Sequence, residues 1–451
     1  MTADTGQTQG ARVAVVGAGP SGIYAAQALT DHPERVAQVD VYDALPAPFG
    51  LVRYGVAPDH DRIKTVTATL AEVLQRPAVR FLGNVCLGVD VGVDELAAHY
   101  DAVVVCTGAT TDRHLDVPGE ELDGSTSATD FVSWYSGHPD AQVERFTALA
   151  RSVAVVGAGN VALDVARMML KPAAVLAGTD VPQHVLDVLA ASPLTDVHLL
   201  VRRGVAHVKF SPKELAELGE LEGVDVLLDP ADVEVAEGPA LSTIQARAVR
   251  TIQEWARREP TGAPRRLHLH LWTRPVAVTG SGTVDGIDVE RTEVRGERLV
   301  GTGAPVHLDV QAVLRSVGYR GLPTPGLPFD PHHAVIPNDG GAVLGEDGTP
   351  LPGLYVAGWI KRGPTGVIGT NRKDAAQTVA RVLADLVAVA RPALRPVGEL
   401  LALLDARGVV VVGWDGWSRV DAAELVRGEP TGRSRVKIHD RAELLRVAHP
   451  G

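Results

Sequence analysis

The heptapeptide VAVVGAG occurs twice in this chain, from Val13 to Gly19 and from Val153 to Gly159. Each copy runs on to a third small residue, Gly22 in the first and Ala162 in the second. Glycines at this spacing, at the start of a helix, leave bare backbone N–H groups where the negative charge of a pyrophosphate is stabilised. Gly17 and Gly157 permit the tight turn, Gly19 and Gly159 clear space for phosphate oxygens, and the third position lets the helix close on its strand. Two such turns predict two dinucleotide pockets in one polypeptide.

The second strand of each unit separates the two pockets chemically. In the first, QVDVYD ends at Asp43, a carboxylate placed to accept ribose hydroxyls, as in FAD or NAD sites. In the second, VHLLVRRG ends at Arg202 and Arg203 with no acid, a pair suited to clamping a 2′-phosphate. That favours NADP over NAD. Late in the chain, RGPTGVIGTN sets Gly363, Gly366 and Gly369 at intervals of three ahead of a helix expected from Thr370. Glycines there let a flat ring approach the backbone, and the helix start can stabilise negative charge on it.

The elements that must hold these residues read as alternating strands and helices. VAVV and VVVC are short apolar runs of the kind buried on both faces of a parallel sheet, and IYAAQAL and VALDVARMML carry the helical period. FLGNVCLGVDVG reads as paired strands, LHLHLWTRPVAVTGSGTVDGIDVERTEV as a strand-rich part, and QAVLRSVGY and LYVAGW as two more strands. A long helix is expected from about Lys373 to Val389, and a mixture of helix and strand in the final sixty residues. The fold class is α/β, with two Rossmann-like dinucleotide-binding domains, the second inserted in the first. The expected boundaries are 1–108 and 321–451 for the outer domain and 109–320 for the inserted one.

With 451 residues, the chain is long enough for two or three domains. Its net charge of -12 argues against general nucleic-acid binding, and no apolar run reaches the roughly 18 residues of a membrane span. The leader MTADTGQTQG is polar and reads as a tail rather than a secretion signal. Cys86 and Cys106 are too few for a zinc or iron–sulfur site, and a cytoplasmic location is expected.

Taken together, GAGPSGIYAA, LPAPFGLVRYGVAPDH, GNVALDVAR, RSVGYRG and GWIKRGPTGVIGTN resemble the adrenodoxin-reductase-like ferredoxin–NADP reductases, including the mycobacterial members. The resemblance runs from Arg12 to about residue 445. It implies FAD in the outer domain, touched by Ser21, Asp43, Leu51, Val85, Trp359, Gly366, Val367 and Ile368. It implies NADP(H) in the inserted domain, touched by Arg113, Asn160, Val161, Arg202, Arg203 and Glu214. His60 and Glu217 match acid–base groups near flavin and nicotinamide, and helical spacing puts Glu214 and Glu217 on one face. Relative to mycobacterial relatives, Asp43 stands in place of a glutamate and Phe49 in place of a tryptophan. Gly358-Trp359 replaces the Gly-Asp pair of the related disulfide reductases.

The implied activity is hydride transfer from NADPH to FAD, then single-electron transfer to a ferredoxin that supplies, for example, a cytochrome P450. An acidic ferredoxin needs a local basic patch on this acidic chain. Arg257, Arg258, Arg265, Arg266, Lys209 and Lys213 are the candidates. A disulfide reductase needs two redox cysteines close in sequence, which Cys86 and Cys106 are not, and a small glutamate-synthase-type subunit would carry an N-terminal cysteine-rich region. The alternatives are a diaphorase- or monooxygenase-type flavin oxidoreductase and a non-catalytic NADP(H) sensor.

Overall fold

The computed structural model describes residues 10–234, 241–388 and 393–450. The leader up to Gln9 and the expected helix end at Val389 lie outside the described residues. The chain forms two compact units. One holds the residues up to Val56, His60–Thr111 and those from Arg320 onward; the other holds Ala57–Asp59 and Asp112–Tyr319.

The first unit is built on a seven-stranded sheet. Its parallel strands, in spatial order, are Pro350–Val356, Ala102–Val105, Ala11–Val16, Val36–Asp43 and Val79–Gly83. Two short antiparallel strands, Asn338–Asp339 and Ala342–Leu344, extend the edge beyond Pro350–Val356. Val13, Ala14 and Val15 are fully buried, the state expected of a strand covered on both faces. Helices Pro20–Thr30 and Ile368–Ala388 contribute Ile23, Leu29, Val379 and Val382 to the core on one face.

The second unit carries a six-stranded, wholly parallel sheet. Its order is Ser125–Ser127, Ala312–Arg315, Ser152–Val156, Asp196–Leu200, Arg265–His270 and Val224–Leu227. A three-stranded antiparallel sheet, Thr273–Gly280, Val284–Arg295 and Arg298–Leu308, is joined to it through an apolar cluster including Val156, Leu200, Val278 and Ile287. In each unit the parallel strands run the same way, so their C-terminal ends share the side on which that unit's glycine turn follows its strand.

Three local expectations differ from the structure. FLGNVCLGVDVG does not form paired strands: Val79–Gly83 is a parallel edge strand, and the chain then turns at Asn84, whose φ is +61°. Asp90 accepts the Cys86 N–H at 2.7 Å and closes a tight loop, leaving only an isolated bridge between Leu87 and Val91. The final sixty residues form helices Val397–Ala406, Trp414–Gly428 and Arg441–Ala448. Among the described residues their apolar GVVVVG run makes one isolated bridge, Val412 to Gly83, its Val409, Val411 and Val412 being taken up in core packing. The long late helix begins at Ile368, before Lys373 and Thr370.

Candidate cofactor-binding sites

In the first unit the turn after Ala11–Val16 leads into helix Pro20–Thr30. Gly17 has φ +111° and abuts the Cys106 carbonyl, while a methyl group on Gly22 would overlap the Gly17 carbonyl. Asp43 stands beside this turn. Its Oδ2 accepts the Ala18 N–H at 2.6 Å and its Oδ1 the Leu45 N–H at 2.8 Å. Burial pushes the carboxyl up to about 6 against the lowering effect of those two amides. Each oxygen retains a lone pair for a hydroxyl donor.

Other predicted residues gather round the same turn. The Ala18 carbonyl accepts the Phe49 N–H at 2.8 Å, and Gly50 packs against Gly19. Leu51, which opens the short helix Leu51–Tyr54, is thereby set beside the turn and is 36% exposed, an open apolar side chain. Gly358 has φ +80° and lies so close to Ser21 that a methyl group would overlap its hydroxyl. Its N–H donates to Asp374 Oδ2 at 2.6 Å, and Lys361 Nζ lies 3.1 Å from the same carboxylate. Trp359 follows, its indole N–H donating to the Thr365 carbonyl at 3.2 Å. The Val85 side chain is buried in the core and its N–H donates to the Asp43 carbonyl at 2.8 Å. Gly366, φ +83°, has a local reason to be glycine, since a methyl there would meet Thr370; Val367 beside it is 75% exposed and Ile368 opens the long helix.

The second unit repeats the arrangement with opposite charge. Gly157 abuts the Ser316 carbonyl, whereas Gly159 has open space where a side chain would project. That space adjoins the first turn of helix Asn160–Leu170 and is what a pyrophosphate needs. The Gly157 N–H donates to the Leu200 carbonyl at 3.0 Å, which brings the end of strand Asp196–Leu200 alongside the turn. Arg202 and Arg203 follow, both exposed, and among the described residues neither guanidinium has a carboxylate partner. Arg113 is likewise exposed and without an ion pair, its N–H on the Gly318 carbonyl at 3.0 Å.

Asn160 has a structural task that the motif does not announce: its Oδ1 accepts the Ser211 N–H at 2.8 Å. Ser211 in turn caps helix Pro212–Gly219 by accepting the Glu214 N–H at 3.3 Å. Glu214 Oε2 is buried with no hydrogen-bond partner, an acceptor left for a donor outside the chain. Val161 packs on the core as the helix begins. These features fit a phosphorylated dinucleotide, as Asp43, Leu51 and the Gly358 approach fit a flavin nucleotide.

The two predicted acid–base residues lie in different units. His60 is buried in the first unit, and its carbonyl accepts the Ile63 N–H at the start of Asp61–Lys64. Glu217 is in the second, 3.4 Å from Lys213 and 4.0 Å from Arg167. Arg167 itself is 1% exposed and holds Asp59 through two bonds of 2.9 Å and Asp164 through one of 2.7 Å. Burial alone would raise the Asp59 carboxyl, but hydrogen bonds from Arg167 and Lys171 hold it well below the usual carboxylate range.

Of the six basic candidates for docking, Arg266 is paired with Asp196 at 2.7 Å and Lys213 with Glu217. Arg258 and Arg265 donate to the Gly219 and Leu170 carbonyls at 2.8 and 2.7 Å. Among the described residues, only Lys209 and Arg257 of the six keep side chains without such partners.

The profile of the pyridine nucleotide-disulphide oxidoreductase family matches residues 11–229. The NADPH-ferredoxin reductase FprA of Mycobacterium tuberculosis is 41% identical over 454 residues, covering 96% of this chain and 98% of that one. The chain belongs to the adrenodoxin-reductase-like ferredoxin–NADP reductases. The mitochondrial NADPH:adrenodoxin oxidoreductase of Salvelinus fontinalis, another member, is 39% identical and covers 97% of this chain and 91% of its own. A solved structure of M. tuberculosis FprA in complex with NADPH is similar with a TM-score of 0.93 at 40% identity, covering 97% and 99% of the two chains.

Sequence reasoning overlooked several residues that hold the surroundings of the predicted site residues in place. Asp374, which holds the Gly358 N–H, lies just beyond the motif GWIKRGPTGVIGTN, and Lys361, inside that motif, was given no role. Asp59 and Arg167 were both inside quoted motifs, GVAPDH and GNVALDVAR; opposite charges in two distinctive motifs are the signal that could have paired them. Ser211 could have been found as an N-cap three residues before an acid.

Proposed function

We propose that this chain is an FAD-dependent ferredoxin–NADP reductase, taking electron pairs from NADPH and passing single electrons to an iron–sulfur protein of the ferredoxin class. The observation that carries the reading is the charge contrast between two glycine turns in one chain: Asp43 beside the first, unpaired Arg202 and Arg203 beside the second. A flavin held in the first unit supplies the conversion between a two-electron donor and a one-electron acceptor. The first unit would hold FAD, with Asp43 accepting from ribose, Ser21 and the Gly17–Gly22 amides at the pyrophosphate, and Leu51, Val85, Trp359 and Gly366–Ile368 around the ring. The second would hold NADPH, with Arg202 and Arg203 on the 2′-phosphate, Gly157–Val161 at the pyrophosphate, and Arg113 and the free Glu214 oxygen as further contacts. His60 and Glu217 are proposed to orient the reacting groups or move protons near them. A cytoplasmic location, without nucleic-acid or membrane partners, completes the reading.

The test is anaerobic. Purified protein should be yellow, bleach on addition of NADPH, and then reduce ferredoxin. Bleaching without transfer to any ferredoxin, with ferricyanide still reduced, would leave a diaphorase; a colourless protein that refuses added flavin while binding NADPH would leave the sensor.

A further inference from the structure

The second unit carries a group of ligating side chains apart from its glycine turn. Asp196 and His198 stand two residues apart on strand Asp196–Leu200, and Arg266, His268 and His270 keep the same interval on strand Arg265–His270. Residues at that interval share one face of a strand. The register sets Asp196 beside Arg266 and His198 beside His268. The intervening Val197, Leu199, Leu267 and Leu269 point the other way, into the main core of the unit. The histidines are therefore not there to fill that core.

We propose that Asp196, His198 and His268 form a binding site for a divalent transition-metal cation of zinc's class. Each offers one ligand atom, and the three atoms lie within 4.8 Å of one another. Asp196 Oδ1 is 2.7 Å from His268 Nε2. The other carboxylate oxygen is held by Arg266 at 2.7 Å and by the Thr195 hydroxyl at 2.7 Å, which leaves Oδ1 to act alone. His198 Nδ1 is 3.0 Å from His270 Nε2, so Nε2 is that ring's remaining ligand atom. Outer contacts of this kind fix the orientation and tautomer of metal ligands in general. Two imidazole nitrogens and one carboxylate oxygen suit borderline cations such as Zn²⁺ or Fe²⁺ and disfavour Ca²⁺ and Mg²⁺, which take oxygen.

The His198 and His268 rings stack with centroids 4.4 Å apart and planes 9° apart. Rotation of the His268 ring about Cβ–Cγ, a broad torsion, lets its nitrogen share an ion with His198 while His198 keeps its contact with His270. His268 is 24% exposed and Asp196 15%, so a cation can enter and water can complete its coordination. A bound ion would tie two neighbouring strands of the sheet together.

The experiment uses FAD-loaded full-length protein, stripped with chelator and titrated calorimetrically with Zn²⁺ alone. One Zn²⁺ per chain is expected. His198→Gln and His268→Gln should each weaken binding by about a hundredfold, and His270→Gln by roughly tenfold, with flavin content unchanged. Binding that persists undiminished in the Asp196→Asn/His198→Gln/His268→Gln protein would assign the ion elsewhere, for example to Asp330, His332 and His333, and overturn the proposal. Should the variants not fold, anomalous diffraction from zinc-soaked crystals of the unaltered protein decides: a peak between His198 and His268 supports the site, and none there refutes it.

Discussion

At the residue scale, the proposed preference for NADPH rests on Arg202 and Arg203, two guanidiniums that have no carboxylate partner among the described residues. A charge-assisted hydrogen bond contributes about 1.5–3 kcal/mol, so Arg202→Ala/Arg203→Ala should raise KM for NADPH by roughly a hundredfold and leave KM for NADH nearly unchanged. Equal change in both constants, measured by steady-state reduction of ferricyanide, would remove the pair from the 2′-phosphate. Asp43 gives a pH-dependent prediction. In the flavin-free chain burial holds its carboxyl up at about 6. An acid whose folded value exceeds its unfolded value of about 3.9 favours folding below that value and loses the contribution as pH rises through 6. Ribose hydroxyls donating to the carboxylate act in the opposite sense, since they favour its ionised form. FAD should therefore bind several-fold more tightly at about pH 7.5 than at about pH 5, and Asp43→Asn should flatten the profile. A flat profile in the unaltered protein would rule out the ribose contact.

At the element scale, legibility followed burial. VAVV and VVVC were readable because strands covered on both faces must be continuously apolar, and the helix of Glu214 and Glu217 because a spacing of three puts both on one face. The final sixty residues were harder, because their placement depends on distant partners. Glu424 on helix Trp414–Gly428 is fully buried and paired through both oxygens with Arg53. It also accepts the Ile438 N–H at 2.9 Å. Lys437 Nζ donates to the Arg53 carbonyl at 2.8 Å, and the Trp417 ring packs edge-on to Phe49 with centroids 5.8 Å apart. These contacts fasten the helix that carries Leu51 to the end of the chain. Glu424→Ala should cost about 3–5 kcal/mol in urea unfolding, because it strands a buried guanidinium. Gly358→Ala should act more locally. With φ +80° and ψ -149° its backbone lies in a region essentially restricted to glycine, which costs any other residue about 1–3 kcal/mol, and the added methyl would push Ser21 from the turn. Flavin occupancy, read from the ratio of visible to ultraviolet absorbance, should fall while the far-ultraviolet circular dichroism stays the same. Full occupancy would mean that the Gly358 approach does not shape the pocket.

At the scale of the whole molecule, charge sets the terms for meeting an acidic iron–sulfur protein. The chain carries a net charge of -12, so at long range the two proteins repel. At short range a partner that docks on basic residues would meet local cations, and Lys209 and Arg257 are the two of the six docking candidates whose charge no neighbour takes up among the described residues. Salt separates the two effects by distance. The screening length is about 30 Å at 0.01 M and about 10 Å at 0.1 M, so moderate salt suppresses the net repulsion before it touches contacts of a few ångströms. The value of kcat/KM for ferredoxin should accordingly rise between about 0.01 and 0.1 M salt and fall again toward about 1 M, where screening reaches 3 Å. Lys209→Ala/Arg257→Ala should remove the falling limb and keep the rising one, because it deletes the local attraction and leaves the overall charge of the same sign. A steady rise with salt in the unaltered protein would show that no basic dock is at work, and that the partner is held by apolar contacts instead.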